Sequence, residues 1–79
     1  MDKNTENVIR VFVIRELLQL DENKINDDMD LLMLGLDSLR MMRLVNYLEQ
    51  HLNIRLKDED VIPENLQTVR KIHQLITNY

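Results

Sequence analysis

Glycine and proline are almost absent from this chain of 79 residues, which contains one of each, Gly35 and Pro63. A β-sheet fold needs many turns rich in these residues, and disordered chains are often enriched in them, so both are disfavoured. Apolar residues instead recur along much of the chain at spacings of three and four. This pattern predicts three main helices, over residues 5–20, 38–52 and 69–77.

Each predicted helix carries an apolar stripe that would face a common core. In the first helix the stripe consists of Val8, Val11, Phe12, Ile14, Leu17 and Leu18. In the second it consists of Leu39, Met42 or Met41, Val45, Leu48 and Leu52, and in the last of Val69, Ile72, Leu75 and Ile76. The β-branched residues between 11 and 14 would also suit a strand, although their Glu, Arg, Leu and Gln neighbours favour a helix.

The connections between these helices also carry signals. Residues 21–36 are long for a structureless loop, so their apolar residues should pin them to the bundle, with a helical turn at 28–32. Gly35 is expected to take a positive φ at the turn into the second helix. Residues 57–62 are expected to form a brief third helix, which ends there because Pro63 disfavours a helical conformation at the residue before it. The apolar residues of the first connection are Ile25, Met29, Leu31, Leu32, Leu34 and Leu36.

Two helix ends are marked by short polar side chains. Asn53 suits a left-handed position at the end of the second helix, and Thr68 suits the N-cap of the last. The expected fold class is therefore all-α, a small four-helix bundle with three main helices and one short third helix. Residues 1–79 are expected to form a single domain.

Composition limits the partners and the compartment. The formal net charge is −4, so nucleic-acid binding of the kind that needs a basic face is not expected. Without cysteine the chain cannot form disulfides or zinc–thiolate sites. No apolar run approaches the roughly 20 residues that span a bilayer, and the polar, acidic N-terminus is unlike a signal peptide. These features predict a soluble, cytoplasmic protein without membrane contact, and a monomer by default.

An aspartate and a serine follow the glycine turn at the predicted start of the second helix. Asp37 is the expected N-cap, because its carboxylate can accept from the N–H of Leu39 or Arg40. Ser38 would follow with its hydroxyl in solvent. A helix N-terminus offers partial positive charge and unpaired N–H groups, which suit a phosphate esterified to that serine.

The run Gly35-Leu36-Asp37-Ser38-Leu39 resembles the attachment motif of the acyl and peptidyl carrier proteins. The resemblance extends from about residue 25 to residue 76, through segments 28–32, 52–56 and 66–69. It implies that a phosphopantetheinyl transferase attaches 4'-phosphopantetheine from coenzyme A to Ser38, with Asp37 supporting the turn and recognition by the transferase. It further implies a carrier with no catalytic group of its own. An adenylating ligase or acyltransferase would load it, and it would deliver thioesters to downstream biosynthetic enzymes.

Residues near the serine are candidates for docking partner enzymes. Carriers of this family are similar in presenting a hydrophobic residue about four positions after the serine, where this chain has Met42, and Leu39 and Val61 are expected to join it. Arg40 and Arg43 depart from the fatty-acid-synthase carriers, which usually have acids along this helix. Two cations favour an acidic partner surface and a stand-alone carrier of a specialised pathway, resembling those of nonribosomal peptide or polyketide assembly. A housekeeping fatty-acid carrier, a D-alanyl carrier and an unmodified helical adaptor remain alternatives.

Two other kinds of site fit the sequence poorly. A serine hydrolase would need a histidine beside Ser38, but His51 lies thirteen residues further along the same predicted helix, on the order of 20 Å away. The glycine spacing and preceding strand of a nucleophile elbow are also missing. The acids of residues 21–30 lack the glycine and glutamate of a calcium loop, and neither His51 nor His73 has partners at metal-ligand spacing. Catalysis and metal binding are therefore not expected.

Overall fold

The computed structural model describes residues 3–79 and has the architecture of a small helical bundle. The first helix, α1, spans Lys3–Val11 and continues as a π-helical segment over Phe12–Leu17. The later helices are α2 (Ser38–Leu52), α3 (Pro63–Leu66) and α4 (Val69–Ile76), with 3₁₀ turns at Glu22–Lys24 and Asp58–Asp60. No β-strand occurs within residues 3–79. The predicted all-α class, with three main helices and one short third helix, is confirmed.

The core is formed by apolar side chains from all four helices and from the connections. The first helix and its π-helical continuation pack against both α4 and α2. No polar or charged side chain is buried among the residues that the structure describes. Removal of this apolar surface from water is the main force that holds so small a bundle together. The buried residues are Ile9, Val13, Ile14, Leu17, Leu31, Leu36, Leu44, Val45, Leu48, Leu56, Leu66, Val69, Ile72 and Ile76.

The first helix differs from its prediction in register. Beyond Val11 the hydrogen bonds widen, as when the N–H of Leu18 donates to the carbonyl of Val13 at 2.9 Å. Ile9 and Val13, which the predicted stripe left out, are fully buried, and the helix ends by Leu17 rather than at residue 20. Apolar residues surround most of this helix, so their spacing alone could not select the buried face. Packing against α2 and α4 selects it.

The connection over residues 21–36 is pinned to the bundle mainly at two points. Leu31 and Leu36 are buried, and the backbone N–H of Leu31 donates to the carbonyl of Gln67 at 2.7 Å. Met29 and Leu32 are exposed, so the prediction that they pin the loop was wrong. The turn lies three residues later than expected, at residues 31–35, where the N–H of Leu34 donates to the carbonyl of Leu31 at 3.1 Å.

The short third helix lies on the other side of the proline from its predicted place. Residues 58–60 form only a 3₁₀ turn, and Ile62 is extended (φ −128°, ψ 155°), as expected before a proline. Pro63 itself is the first residue of α3. Proline suits that position, because its φ is already helical and its missing N–H would have no partner there.

The predicted helix ends are confirmed. Asn53 is left-handed (φ 55°, ψ 47°) and its N–H donates to the carbonyl of Glu49. The hydroxyl of Thr68 accepts from the N–H of Lys71 at 3.0 Å, which caps α4. These local contacts fix the end of α2 and the start of α4.

Candidate functional site

A tight turn leads the chain into α2. Gly35 has φ +117°, a conformation that side chains other than glycine's rarely adopt. The next residue, Leu36, is buried, and its N–H donates to the carbonyl of Leu31 at 2.9 Å. The turn is thus anchored by an apolar side chain immediately before Asp37, and the chain leaves the core there.

Asp37 caps α2, as predicted. Its Oδ1 accepts from the backbone N–H of Arg40 at 2.9 Å, and its Oδ2 accepts from Nη1 of the same residue at 2.8 Å. The backbone hydrogen bond, and then the positive charge of the guanidinium, lower the pKa of the Asp37 carboxyl from its ordinary value. Asp37 is therefore ionised near neutral pH, and the helix start is fixed.

Ser38 is the first residue of α2 and the chain's only serine. It is exposed, and within residues 3–79 its hydroxyl has no hydrogen-bond partner. The first amides of a helix have no partners within it, so the hydroxyl stands beside a region of partial positive charge. A phosphodiester at this exposed residue would lie in a favourable field.

Neither histidine is placed to activate this serine. His51 lies thirteen residues along α2, and its ring stacks against Tyr47 with centroids 5.2 Å apart. His73 lies on α4, where Nδ1 is 3.2 Å from Oε1 of Glu6. The hydroxyl of Ser38 therefore has no general base from a histidine.

Leu39 and Met42 lie on the exposed side of α2 next to the serine. Their exposed fractions are 72% and 53%, so the placement of Leu39 in the core stripe was wrong. Of the two methionines predicted as alternatives for that stripe, Met41 is the one that packs against the core. Val45 and Leu48 of the predicted stripe are buried, together with Leu44, which the stripe left out. Large apolar side chains this exposed, close to a candidate attachment site, suit contact with another protein.

The two arginines of α2 differ in their surroundings. Arg40 is half-buried, and besides its bonds to Asp37 it donates from Nε to the carbonyl of Leu17 at 3.2 Å. Arg43 is exposed and has no ion-pair or hydrogen-bond partner in the part of the chain that the structure describes. The spacing of Asp37 and Arg40 shows that they can pair, but the contact with Leu17 depends on the fold, and no local pattern indicates it.

A groove that the sequence does not indicate runs beside α2. It has a volume of about 740 Å³ and lies between α2 and residues 55–61. Val61, a predicted docking residue, is half-buried in its wall, and Met42 lies at the same groove. Its other lining residues are Val45, Asn46, Glu49, Arg55, Leu56, Lys57 and Asp58. The groove thus brings together Met42 and Val61, which are distant in sequence.

The described range contains neither a metal-binding cluster nor a membrane-spanning helix. Among residues 3–79 no three His, Cys, Asp or Glu side chains come together in a way that could bind a metal ion. Over the same residues no helix has the length and apolar character needed to cross a bilayer.

Comparison with known proteins assigns the class. Residues 11–76 match the family described as "phosphopantetheine attachment site", which is most of the chain, and the protein belongs to that family of carrier domains. Its prosthetic group is a covalently attached 4'-phosphopantetheine, and such a domain interacts with a phosphopantetheinyl transferase and with biosynthetic enzymes. The free hydroxyl of Ser38 at a helix start fits this group.

Two individual relatives show which carrier proteins the chain resembles. The chain is 35% identical over 68 residues to an acyl carrier protein homolog of Mycoplasmopsis pulmonis, covering 86% of this chain and 90% of that protein. It is 30% identical over 80 residues to probable polyketide synthase 38 of Dictyostelium discoideum, covering 91% of this chain. It spans only 3% of that synthase. No solved structure gives a significant match.

Proposed function

We propose that Ser38 is the attachment point of the phosphopantetheine arm and that the protein carries acyl or aminoacyl thioesters between enzymes. The observation that supports this most is the exposed, unpartnered hydroxyl of the chain's only serine at the start of α2. A separate transferase can reach such a group. The arm can then turn outward into the active sites of other enzymes, and the carrier itself catalyses no reaction.

The proposed pathway is a specialised one of the nonribosomal peptide or polyketide type, with the protein acting as a stand-alone, monomeric, cytoplasmic carrier of one domain. The acyl carrier relative from Mycoplasmopsis pulmonis, aligned over 90% of its length, supports a small separate carrier. The match to a polyketide synthase of Dictyostelium discoideum supports the pathway class. An adenylating ligase or an acyltransferase would load the arm.

Partner enzymes are proposed to dock on the exposed face of α2. Leu39 and Met42, with Val61 across the groove, would supply the apolar contact, and methionine repacks easily against different surfaces. Arg43 would meet acidic groups of the partner and steer its approach, because nothing within residues 3–79 neutralises it. Arg40 would add less to this charge, since Asp37 already pairs with it.

Loading assays on the holo protein test the pathway. The apo protein is first converted with a phosphopantetheinyl transferase, coenzyme A and Mg²⁺. The product is then offered separately to amino-acid-adenylating ligases of peptide assembly, an acyltransferase of polyketide assembly, a malonyl transferase of fatty-acid synthesis and a D-alanine ligase. The proposal predicts loading by the ligases or acyltransferases of peptide or polyketide assembly. Loading only by fatty-acid enzymes or by the D-alanine ligase would replace it with the corresponding alternative. A protein that accepts no arm at all would be a helical adaptor.

A further inference from the structure

Arg40 joins the residue before Ser38 to the end of the first helix. Nη1 donates to Oδ2 of Asp37 at 2.8 Å, while Nε donates to the carbonyl oxygen of Leu17 at 3.2 Å. The backbone N–H of Arg40 also donates to the other carboxylate oxygen of Asp37, at 2.9 Å. One side chain thus links two elements that are more than twenty residues apart in sequence.

The acceptor on the first helix is suited to a cation. Leu17 is the last residue of the π-helical segment, and Gln19, two residues later, turns the chain with φ 56°. The last carbonyls of a helix lack partners within it and carry partial negative charge. A guanidinium placed there donates to one of these carbonyls and is stabilised by their partial negative charge.

The hydrogen bonds of Arg40 affect Ser38 because Asp37, Ser38 and Arg40 lie within four consecutive residues. Asp37 precedes Ser38 directly, and its carboxylate is held at both oxygens by Arg40. The anchor at Leu17 keeps this pair in place against the body of the bundle. Only the planar fork of arginine offers donors in both directions at once, whereas lysine offers a single point of charge.

We propose that Arg40 is a positioning residue for the modification of Ser38, rather than chiefly a docking cation. By fixing Asp37 against the end of the first helix, it presents the Ser38 hydroxyl at one place relative to the surface on which the transferase docks. The inference rests on the proposed attachment at Ser38. A small misplacement of a reacting group is costly, so the effect is expected in the turnover step and not in binding.

Steady-state kinetics of a phosphopantetheinyl transferase test this, with the apo protein as varied substrate and coenzyme A saturating. Arg40→Gln keeps helix propensity and removes the fork, so kcat should fall about tenfold while KM stays within about twofold. Arg40→Lys should restore less than half of the lost kcat, because charge alone is insufficient. Arg15→Gln, which removes an exposed arginine near the same helix end, is the control and should leave both constants within about twofold.

Each other outcome counts against the proposal. An unchanged kcat in Arg40→Gln overturns it, and full recovery in Arg40→Lys shows that charge suffices. A raised KM with normal kcat would make Arg40 a docking residue. If even the wild-type protein accepts no phosphopantetheine, the proposed function is contradicted. The role of Arg40 is then tested by the relaxation measurement described next.

A second measurement covers the case in which Arg40→Gln unfolds or aggregates. Backbone ¹⁵N relaxation of the folded Arg40→Lys protein should show increased motion at Asp37 and Ser38, with the rest of α2 unchanged. The same relaxation values at these two amides as in the wild type would overturn the proposal. This readout needs no transferase, so it separates the inference from the proposed function.

Discussion

The ring of Phe12 stacks on the ring of Tyr47, with centroids 3.7 Å apart and planes only 6° from parallel. Phe12 opens the π-helical segment of the first helix, and Tyr47 lies in the middle of α2. Both rings are half-buried. The stack therefore joins the first helix to the helix that presents Ser38, at the edge of the core.

This stack predicts an unequal effect of two neighbouring substitutions. Tyr47→Ala should lower the free energy of unfolding by about 2–3 kcal/mol, since it removes a large contact area and an aromatic pair. His51→Ala, which removes only the outer, exposed ring, should stay within about 0.5 kcal/mol of the wild type. Urea denaturation of both variants measures this. Equal losses would show that the Phe12 contact contributes nothing of its own.

Glycine is predicted to stabilise the protein at position 35 because of its backbone conformation, and not because a side chain there would clash. Gly35→Ala should cost about 1–3 kcal/mol, because φ +117° is strained for any residue with a Cβ. A methyl group there would lie 3.6 Å from Cδ2 of Leu18, an ordinary contact. The loss on adding Gly35→Ala should therefore be the same in a Leu18→Ala background. A loss that disappears in that background would instead indicate a clash.

The end of α2 offers a similar test at Asn53. Asn53→Ala should destabilise the protein by about 1 kcal/mol, because alanine pays more than asparagine for the left-handed conformation. Asn53→Gly should be within about 0.5 kcal/mol of the wild type. Asn46→Ala, an exposed change inside the same helix, is the control and should be neutral or stabilising by up to about 0.7 kcal/mol, because alanine has the higher helix propensity. If both alanine variants behave alike in thermal denaturation, the left-handed position is not a determinant of stability.

The cap at Asp37 predicts a dependence on pH. Its folded pKa is lowered, first by the backbone hydrogen bond from Arg40, so the ionised cap stabilises the protein above the pKa of the unfolded state. That stability is lost as the pH falls through the lower, folded pKa. In a ¹³C NMR titration the Asp37 carboxyl should titrate below its value in a peptide of residues 35–40. Arg40→Gln should raise its pKa without reaching the peptide value, because the backbone bond remains.

A titration of Asp37 that matches the peptide would contradict this account of the cap. A pKa unchanged by Arg40→Gln would show that the guanidinium does not act on the carboxylate. Either result would also weaken the link from Arg40 to the presentation of Ser38.

Features set by a few neighbouring residues could be predicted from the sequence. The cap at Asp37, the left-handed Asn53, the positive φ of Gly35 and the cap at Thr68 each depend on local backbone chemistry, and all are confirmed. The attachment motif is equally local. These positions explain why α2 and its start were predicted correctly.

Features set by packing could not be predicted in the same way. The first helix is apolar around most of its circumference, so the burial of Ile9 and Val13 depends on its neighbours. The exposure of Leu39 conflicts with its place in the apolar spacing of α2. The contact between Arg40 and the carbonyl of Leu17 joins two distant segments. Sequence periodicity contains no information about such long-range choices.

The mass of the protein purified from its native host tests attachment at Ser38 most directly. Cleavage after Lys24 and Arg40 yields peptide 25–40, in which Ser38 is the only side chain with a hydroxyl group. We predict that this peptide carries one phosphopantetheine and that Ser38→Ala protein, expressed in the same host, carries none. A uniformly unmodified peptide, or an arm found on a threonine elsewhere, would contradict the account.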